Sequence, residues 1–382
     1  MRIGIYGGTF NPPHIGHVRS AKSAERQLAL DLLIVVPAGI PPHKPLPDGT
    51  PPADMRLHMA RLAFTDAIVS GIESVNAGPG YTADTIKSIK NDFKNAELFL
   101  LIGTDMYLTL ESWKDSEFIF QTVTPAVFSR GSGDMRRITA YSSVLYEKYG
   151  VNTAVIDNSV IEISSSMLRE MLPRREGIGY INDTIYPYII KNRLYGAKPD
   201  WNWLRERAYS MLDATRIPHV AGCESAALRL AKQWGVDADD AREAAILHDI
   251  TKRLGVEDNL RILSAHGIAA GKIEYAEEKL FHSKTGAILA QAEFGASDAV
   301  ADAIMWHTTG RAGMSSLEKV IYLADYIEPT RDFDGVALLR ELAFKNLDSA
   351  VRMGLEMSIT DMRERGIKPN RITFDALNDL AI

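Results

Sequence analysis

The hydrophobic pattern of this 382-residue chain changes near residue 196. Before that point, short apolar runs alternate with amphipathic, helix-like stretches, which predicts an α/β Rossmann-like domain with a parallel sheet and helices on both faces. The predicted strands are 2–6, 32–36, 98–102, 125–128 and 153–156, and the predicted helices are 16–29, 54–67, 82–94 and 141–149. Beyond residue 196, apolar residues recur at helical spacing, so the second part is predicted to be all-α.

A short segment with Gly and Pro, GAKPD at 196–200, is a plausible linker between the two parts with different hydrophobic patterns. We therefore expect one domain over 1–195 and a second over 201–382. Within the second domain, Ser315 and Glu318 form an S-x-x-E pattern that predicts the start of a helix by a capping box.

Composition excludes several classes of function. The formal charge of −6 gives no global basic field, so we expect no nucleic-acid partner. No apolar run approaches the ~20 residues of a membrane span, so we expect no membrane partner. Cys223 is the single cysteine, which excludes an internal disulfide and metal sites built from cysteines, and a reducing cytoplasmic location is the simplest interpretation. Any metal is therefore expected on the nine histidines and the carboxylates.

Glycines and histidines follow the first predicted strand. Gly7 and Gly8 have no Cβ, so the backbone there can approach a ligand closely. A helix starting near Gly16 would direct free N–H groups at an anion. His14 and His17 are three residues apart and can face the same point, where they would stabilise the negative charge of a phosphoryl-type transition state. The alternative is that both are surface histidines without a role.

The complete string GGTFNPPHIGH resembles the HIGH-type nucleotidyltransferases, and among them the nicotinate-mononucleotide adenylyltransferases. Further similar segments are PPHK (41–44), DMRLHMARLAF (54–64), GYTADTI (80–86), LIGTDMYLTLESWKD (101–115) and ISSSMLR (163–169). The resemblance covers about residues 1–195. It implies transfer of AMP from ATP to nicotinate mononucleotide, with Mg²⁺ on the phosphates and pyrophosphate as the second product.

The same resemblance implies His14 and His17 as catalytic residues. The implied ATP- and substrate-binding residues are Gly7, Gly8, Thr9, Phe10, Lys44, Thr82, Gly103, Asp105, Trp113, Arg130, Ser165, Ser166 and Arg169. By themselves, Lys44 would more often be a solvated lysine and Trp113 a core aromatic residue. Their functional roles therefore depend on the resemblance.

In the second part, polar residues with metal-ligand chemistry interrupt apolar helical patterns. His248 and Asp249 are adjacent within a predicted helix, His219 lies 29 residues before His248, and Asp325 lies 76 residues after Asp249. A buried Asp needs a partner, either a metal or a structural salt bridge. An all-N/O ligand set favours iron, manganese, zinc or magnesium, and such an ion can activate water for attack at phosphorus.

This constellation resembles the HD superfamily of metal-dependent phosphohydrolases. The metal ligands of that superfamily match His219, His248, Asp249 and Asp325 one for one. HSKTGA (282–287), WHTTGR (306–311) and IYLADYIEPTRDF (321–333) are similar to its YqeK-type branch. That branch implies iron or another divalent metal, a catalytic role for Asp249, and symmetrical hydrolysis of diadenosine tetraphosphate to two ADP. The implied substrate-side residues are His282, His307, Lys252 and Arg311, with Arg331 as a further phosphate contact.

The sequence therefore predicts a bifunctional enzyme that acts on small nucleotides, and a homo-oligomer is compatible with it. Two alternatives stay open. The first domain could prefer nicotinamide mononucleotide. The second could act on another nucleotide, or bind a nucleotide as a regulatory module without turning it over.

Overall fold

A computed structural model describes residues 1–41, 45–74, 80–129, 132–158, 161–269 and 280–380. The chain divides into two compact units, Met1–Lys198 and Pro199–Ile382, and each is described by itself.

The first unit is built on a six-stranded sheet in which every pair of neighbouring strands is parallel, in the order β3-β2-β1-β4-β5-β6. The strands are β1 (Arg2–Gly8), β2 (Leu32–Pro37), β3 (Ile68–Val69), β4 (Glu97–Gly103), β5 (Val123–Ser129) and β6 (Ala154–Asp157). The predicted α/β class and all five predicted strands are confirmed. The sequence missed β3, because two residues give no period-2 pattern.

Helices flank this sheet. They are α1 (Ile15–Gln27), α2 (Ala53–Ala63), α3 (Thr82–Asp92), α4 (Thr104–Tyr107), α5 (Ser116–Thr122), α6 (Ser132–Tyr149), α7 (Ser165–Met171) and α8 (Ile185–Lys191). The prediction of a helix to residue 67 was wrong. Apolar Phe64 and Ala67 continue the helical spacing, but the chain leaves α2 after Ala63 so that Ile68 and Val69 can pair with β2. The helix predicted over 141–149 is the second half of α6.

The order of the strands determines where a ligand can bind. The chain leaves β1 to form β2 and β3 on one side, then crosses back to form β4 on the other side. A crevice opens at such a switch point, at the carboxyl ends of the strands. Gly7 and Gly8 end β1 and Gly103 ends β4, while buried Ile3, Ile5 and Leu100 hold the strands in the core.

The second unit is helical throughout its described residues, which confirms the all-α prediction. Its helices are α9 (Trp201–Ser210), α10 (Ile217–Trp234), α11 (Ala238–Leu247), α12 (Val256–Ala265), α13 (Phe281–Phe294), α14 (Asp298–Trp306), α15 (Ser316–Ile327), α16 (Val336–Ala343), α17 (Leu347–Glu364) and α18 (Arg371–Asp379). The predicted capping box is present, because Ser315 N–H donates to Glu318 Oε2 and Glu318 N–H donates to Ser315 Oγ. In the described part of the chain, we find no helix with the length and apolar character needed to cross a membrane.

Candidate active sites

The two histidines of the HIGH segment lie against each other at the start of α1, with their ring planes tilted by 33°. Their ring centroids are 3.7 Å apart, and the main-chain N–H of His14 donates to His17 Nδ1 at 3.2 Å. Gly16 between them is required by packing, since a Cβ there would lie 2.9 Å from His14 Nδ1. His14 is buried, whereas His17 lines a cavity. The helix start thus presents one imidazole directly to the cavity and holds the second behind it.

This cavity, of about 620 Å³, opens at the carboxyl ends of β1 and β4. The sequence-predicted residues that line it are His17, Gly7, Gly8, Thr9, Thr82, Gly103 and Trp113. Trp113 is half-buried, and its Nε1–H donates to Thr109 Oγ1 at 3.2 Å. A flat aromatic face, a helix N-terminus and glycine-lined backbone therefore surround one volume.

The predicted phosphate-binding residues of α7 contact the loop before the HIGH segment. Ser165 Oγ donates to the main-chain oxygen of Pro12 at 2.8 Å, and Arg169 Nη1 donates to that of Asn11 at 2.7 Å. The second guanidinium nitrogen of Arg169 donates to Ser166 Oγ at 3.1 Å. The N-terminus of α7 therefore lies next to the HIGH segment.

Other predicted residues lie elsewhere. The side chain of Phe10 is buried against Tyr6, Phe64 and the ring of His17, so it supports the site from the core. Asp105 lines a neighbouring cavity of about 570 Å³, with its carboxylate 3.7 Å from the guanidinium of Arg137. Lys44 and Arg130 fall outside the described residues.

Two supporting residues of this site were not predicted. The buried guanidinium of Arg56 donates to four main-chain oxygens of the loops after β1 and β2, those of Thr9, Ala38, Gly39 and Pro51. Glu73 lines the cavity and accepts a hydrogen bond from Thr85 Oγ1 at 2.7 Å. In the sequence, Arg56 has the spacing of an ordinary charged helix residue, so no signal marks its burial.

Asp249 lies at the centre of the polar cluster of the second unit and is fully buried. Its Oδ2 lies 3.5 Å from His248 Nε2 and 3.8 Å from His219 Nε2, and its Oδ1 lies 3.3 Å from His282 Nε2 and 3.8 Å from His307 Nε2. Asp325 Oδ1 is 3.1 Å from His219 Nε2. The structure therefore brings together all four predicted ligands.

One local prediction about this cluster was wrong. His248 and Asp249 do not lie within a helix, because α11 ends at Leu247 and the next residues form a turn. His248 Nδ1 lies 2.7 Å from the carbonyl oxygen of Ala245 in the last turn of α11, so its ring N–H satisfies a carbonyl that a longer helix would have used. The turn points both side chains into the cluster.

The hydrogen bonds of the histidine rings prepare the cluster for a cation. His248 Nδ1 and His307 Nδ1 each face a carbonyl oxygen, of Ala245 and Ile304, and must carry the proton there. In the neutral rings the Nε2 atoms then keep a lone pair for a metal. Among the described residues, buried His248 Nε2 and Asp249 Oδ1 have no hydrogen-bond partner. His248, Asp249 and His307 offer donor atoms within 4.8 Å of one another, so these residues fit a divalent cation.

Charge in the cluster also favours a cation. Burial alone would raise the pKa of Asp249, but His248, His307 and Lys252 outweigh it and hold the pKa well below its ordinary value. Burial alone would lower the pKa of His219, but hydrogen bonds with Asp325 and Cys223 raise it to about 9. A metal ion that binds such groups takes the place of the proton.

The predicted substrate-side residues divide into two groups. His282 Nε2 lies 3.2 Å from His307 Nε2 and 3.0 Å from Lys252 Nζ, so these three border the cluster. The contacts of Arg311 are instead a hydrogen-bonded ion pair with Glu318 and an ion pair with Asp302. The structure thus does not bring Arg311 to Asp249.

Two arginine side chains and one glutamate side chain contact the cluster. Arg331, a predicted phosphate contact, donates to the carboxylate of Asp325. Arg216 Nε, which was not predicted, donates to Asp249 Oδ2 at 2.6 Å. Glu328, also not predicted, lies 3.0 Å from His219 Nδ1 through its Oε1. Arg216 and Glu328 are each three residues from a predicted ligand, and that spacing was the available signal.

The parallel sheet with its paired histidines is the framework of a nucleotidyltransferase, and a cytidylyltransferase-like family model matches residues 5–171. An HD domain model matches residues 216–330, which include the four predicted ligands. Over its first half, the chain belongs to the nicotinate-nucleotide adenylyltransferase family.

Two curated relatives support that membership. A probable nicotinate-nucleotide adenylyltransferase of Clostridium botulinum is 34% identical over 198 residues, which are 51% of this chain and 98% of that protein. One of Borreliella burgdorferi is 36% identical over 202 residues, 52% of this chain and 98% of that protein. A similar solved structure is described as a predicted HD superfamily hydrolase involved in NAD metabolism from Clostridium acetobutylicum. It is 34% identical, covers 48% of this chain and 98% of its own, and has a TM-score of 0.47.

Proposed function

We propose that the chain is a bifunctional enzyme of adenine nucleotides. Its first unit transfers AMP from ATP, bound with Mg²⁺, to nicotinate mononucleotide. The observation that carries this proposal is that His17, the glycines that end β1 and the ring of Trp113 line one cavity in a member of the nicotinate-nucleotide adenylyltransferase family.

In this reaction a 5′-phosphate oxygen of nicotinate mononucleotide attacks the α-phosphorus of ATP, and the bond to pyrophosphate breaks. His17 Nδ1 accepts the main-chain N–H of His14, so a neutral His17 carries its proton on Nε2. That N–H can donate to the oxygens on which charge develops. Arg169 and Ser166, on the first turns of α7, would bind the triphosphate, and Trp113 would stack on the pyridine ring.

For the second unit, we propose a metal-dependent phosphohydrolase in which His219, His248, Asp249 and Asp325 hold a divalent ion, iron or another. Such an ion supplies Lewis-acid activation of water and of a phosphoryl oxygen. The proposed substrate is diadenosine tetraphosphate, which water cleaves at the middle of the phosphate chain to give two ADP. Lys252 and His282 border the cluster and would contact phosphate oxygens.

Product analysis with the full-length chain tests both activities. The protein is assayed with ATP plus either nicotinate or nicotinamide mononucleotide, and separately with diadenosine tetraphosphate. We expect faster dinucleotide formation with the nicotinate form and ADP as the sole hydrolysis product. Release of ATP plus AMP would contradict symmetrical cleavage. Tight binding without turnover would favour a nucleotide-binding regulatory module instead.

A further inference from the structure

The one cysteine of the chain lies inside the polar cluster of the second unit. Cys223 is one helical turn after His219 on α10, a spacing that places both side chains on the same face of the helix. Cys223 is 1% exposed, and its Sγ lies 3.5 Å from His219 Nε2. From the sequence, any metal was expected on histidines and carboxylates alone, and the position of Cys223 beside His219 departs from that expectation.

Donor atoms from three chain segments meet at this thiol. His219 and Cys223 come from α10, His248 follows α11, and Asp325 comes from α15. One donor atom of each lies within 4.8 Å of the other three. Two nitrogens, one sulfur and one carboxylate oxygen around one point form a set that a divalent transition metal can bind.

His248 gives the second, independent observation. Its side chain is 1% exposed, and its Nδ1 donates to the carbonyl of Ala245. In the neutral ring its Nε2 therefore keeps a lone pair, and in the described structure this buried atom has no partner in hydrogen-bond geometry, with Asp249 Oδ2 lying 3.5 Å away. An unsatisfied buried acceptor is costly, and a cation shared with Cys223 would remove that cost.

We propose that the Cys223 thiolate is a ligand of the divalent ion held by His219, His248 and Asp325. This inference rests on the metal-dependent activity proposed above for the second unit. A thiolate is a softer donor than carboxylate or imidazole, so it favours Fe²⁺, Co²⁺ or Zn²⁺ over Mg²⁺ at this position. The competing arrangement is a sulfur that only accepts a hydrogen bond from the Nε2–H of His219.

Absorption spectra of the full-length protein, stripped of metal and titrated with Co²⁺, distinguish the two arrangements. A bound thiolate gives a near-ultraviolet sulfur-to-cobalt charge-transfer band in addition to the visible ligand-field bands. We expect that band to grow with Co²⁺ and saturate together with the visible bands. Because the chain contains one cysteine, the band can arise only from Cys223.

Variants complete the test. Cys223→Ser is expected to lose the charge-transfer band, keep visible cobalt bands and bind Co²⁺ at least about tenfold more weakly. His266→Ala is the matched control, because His266 is an exposed histidine of the same unit, and its spectrum is expected to equal that of the wild type. If Cys223→Ser fails to fold, the wild-type spectrum still decides. Visible cobalt bands without a charge-transfer band would overturn the ligand role of Cys223, whereas no Co²⁺ binding at all would overturn the proposed metal site itself.

Discussion

Arg169 on α7 donates to the main-chain oxygen of Asn11 at 2.7 Å, although the two residues are 158 positions apart in the sequence. The same guanidinium reaches Ser166 Oγ on the preceding turn of its own helix. Two segments that would bind one triphosphate are thereby fixed relative to each other before any ligand arrives. The planar fork of arginine is what allows both bonds at once.

Replacing Arg169 tests that relationship. Arg169→Lys keeps the positive charge but cannot reproduce the forked geometry, so we expect kcat/KM for ATP to fall on the order of tenfold or more. Steady-state adenylyl transfer measures the change. Arg174→Lys is the control, since Arg174 is an exposed arginine of the same segment that pairs with Glu176. Equal rates for the two variants would contradict the role of Arg169.

His17→Ala removes the imidazole that faces the cavity. We expect adenylyl transfer to slow by at least ~100-fold, the scale of losing one donor to a developing negative charge. Hydrolysis by the second unit, assayed in the same preparation, reports whether the protein is intact and is expected to be unchanged. A near-normal rate of transfer would mean that the catalytic centre lies elsewhere.

Asp249→Ala removes the carboxylate at the centre of the second cluster. We expect hydrolysis to fall to the uncatalysed background and adenylyl transfer to stay nearly normal. The bound-metal content, measured by elemental analysis, is expected to fall as well. Asp258→Ala is a suitable control, because Asp258 is an exposed residue that pairs with Arg261 on α12. Loss of both activities in Asp249→Ala would indicate that the two units are coupled.

Burial raises the pKa of Glu73, and the hydrogen bond from Thr85 offsets this only in part. At pH values below the ordinary pKa of 4.5, the carboxyl is neutral in both the folded and the unfolded chain, so its burial does not reduce folding stability through charge. As pH rises above that value, the unfolded chain releases the proton first, so folding stability falls. We therefore expect Glu73→Gln to unfold at a higher temperature than the wild type at pH 7, with the difference vanishing near pH 4. A difference independent of pH, measured by calorimetry, would contradict this explanation.

The strands and the motif histidines could be predicted because their signals are local. Apolar runs mark β1 and β4, and the histidines are recognisable from the four consecutive residues His14 to His17. Local signals cannot reveal contacts made by distant segments, and for that reason the buried contacts of Arg56 and Cys223 were not predicted. Both have the spacing of ordinary helix residues. Only the tertiary structure shows that Arg56 donates to four main-chain oxygens and that Cys223 lies beside His219. The end of α11 was misplaced for a different reason, because the contact of the His248 ring with the carbonyl oxygen of Ala245 leaves no mark in the hydrophobic pattern.

Arg56 has the clearest expected effect on stability. Arg56→Met keeps a long apolar side chain but leaves four main-chain oxygens without their donor, and each buried orphan costs roughly 1–3 kcal/mol. At about 1 kcal/mol each, the four orphaned oxygens cost about 4 kcal/mol, so the first unit should unfold about 8–16 °C lower. Calorimetry of the full chain measures this, with the first-unit transition identified by its upward shift on adding ATP. Arg61→Met, at an exposed position of the same helix, is expected to leave that transition within about 2 °C. A similar small shift for Arg56→Met would show that water replaces the guanidinium among those carbonyls.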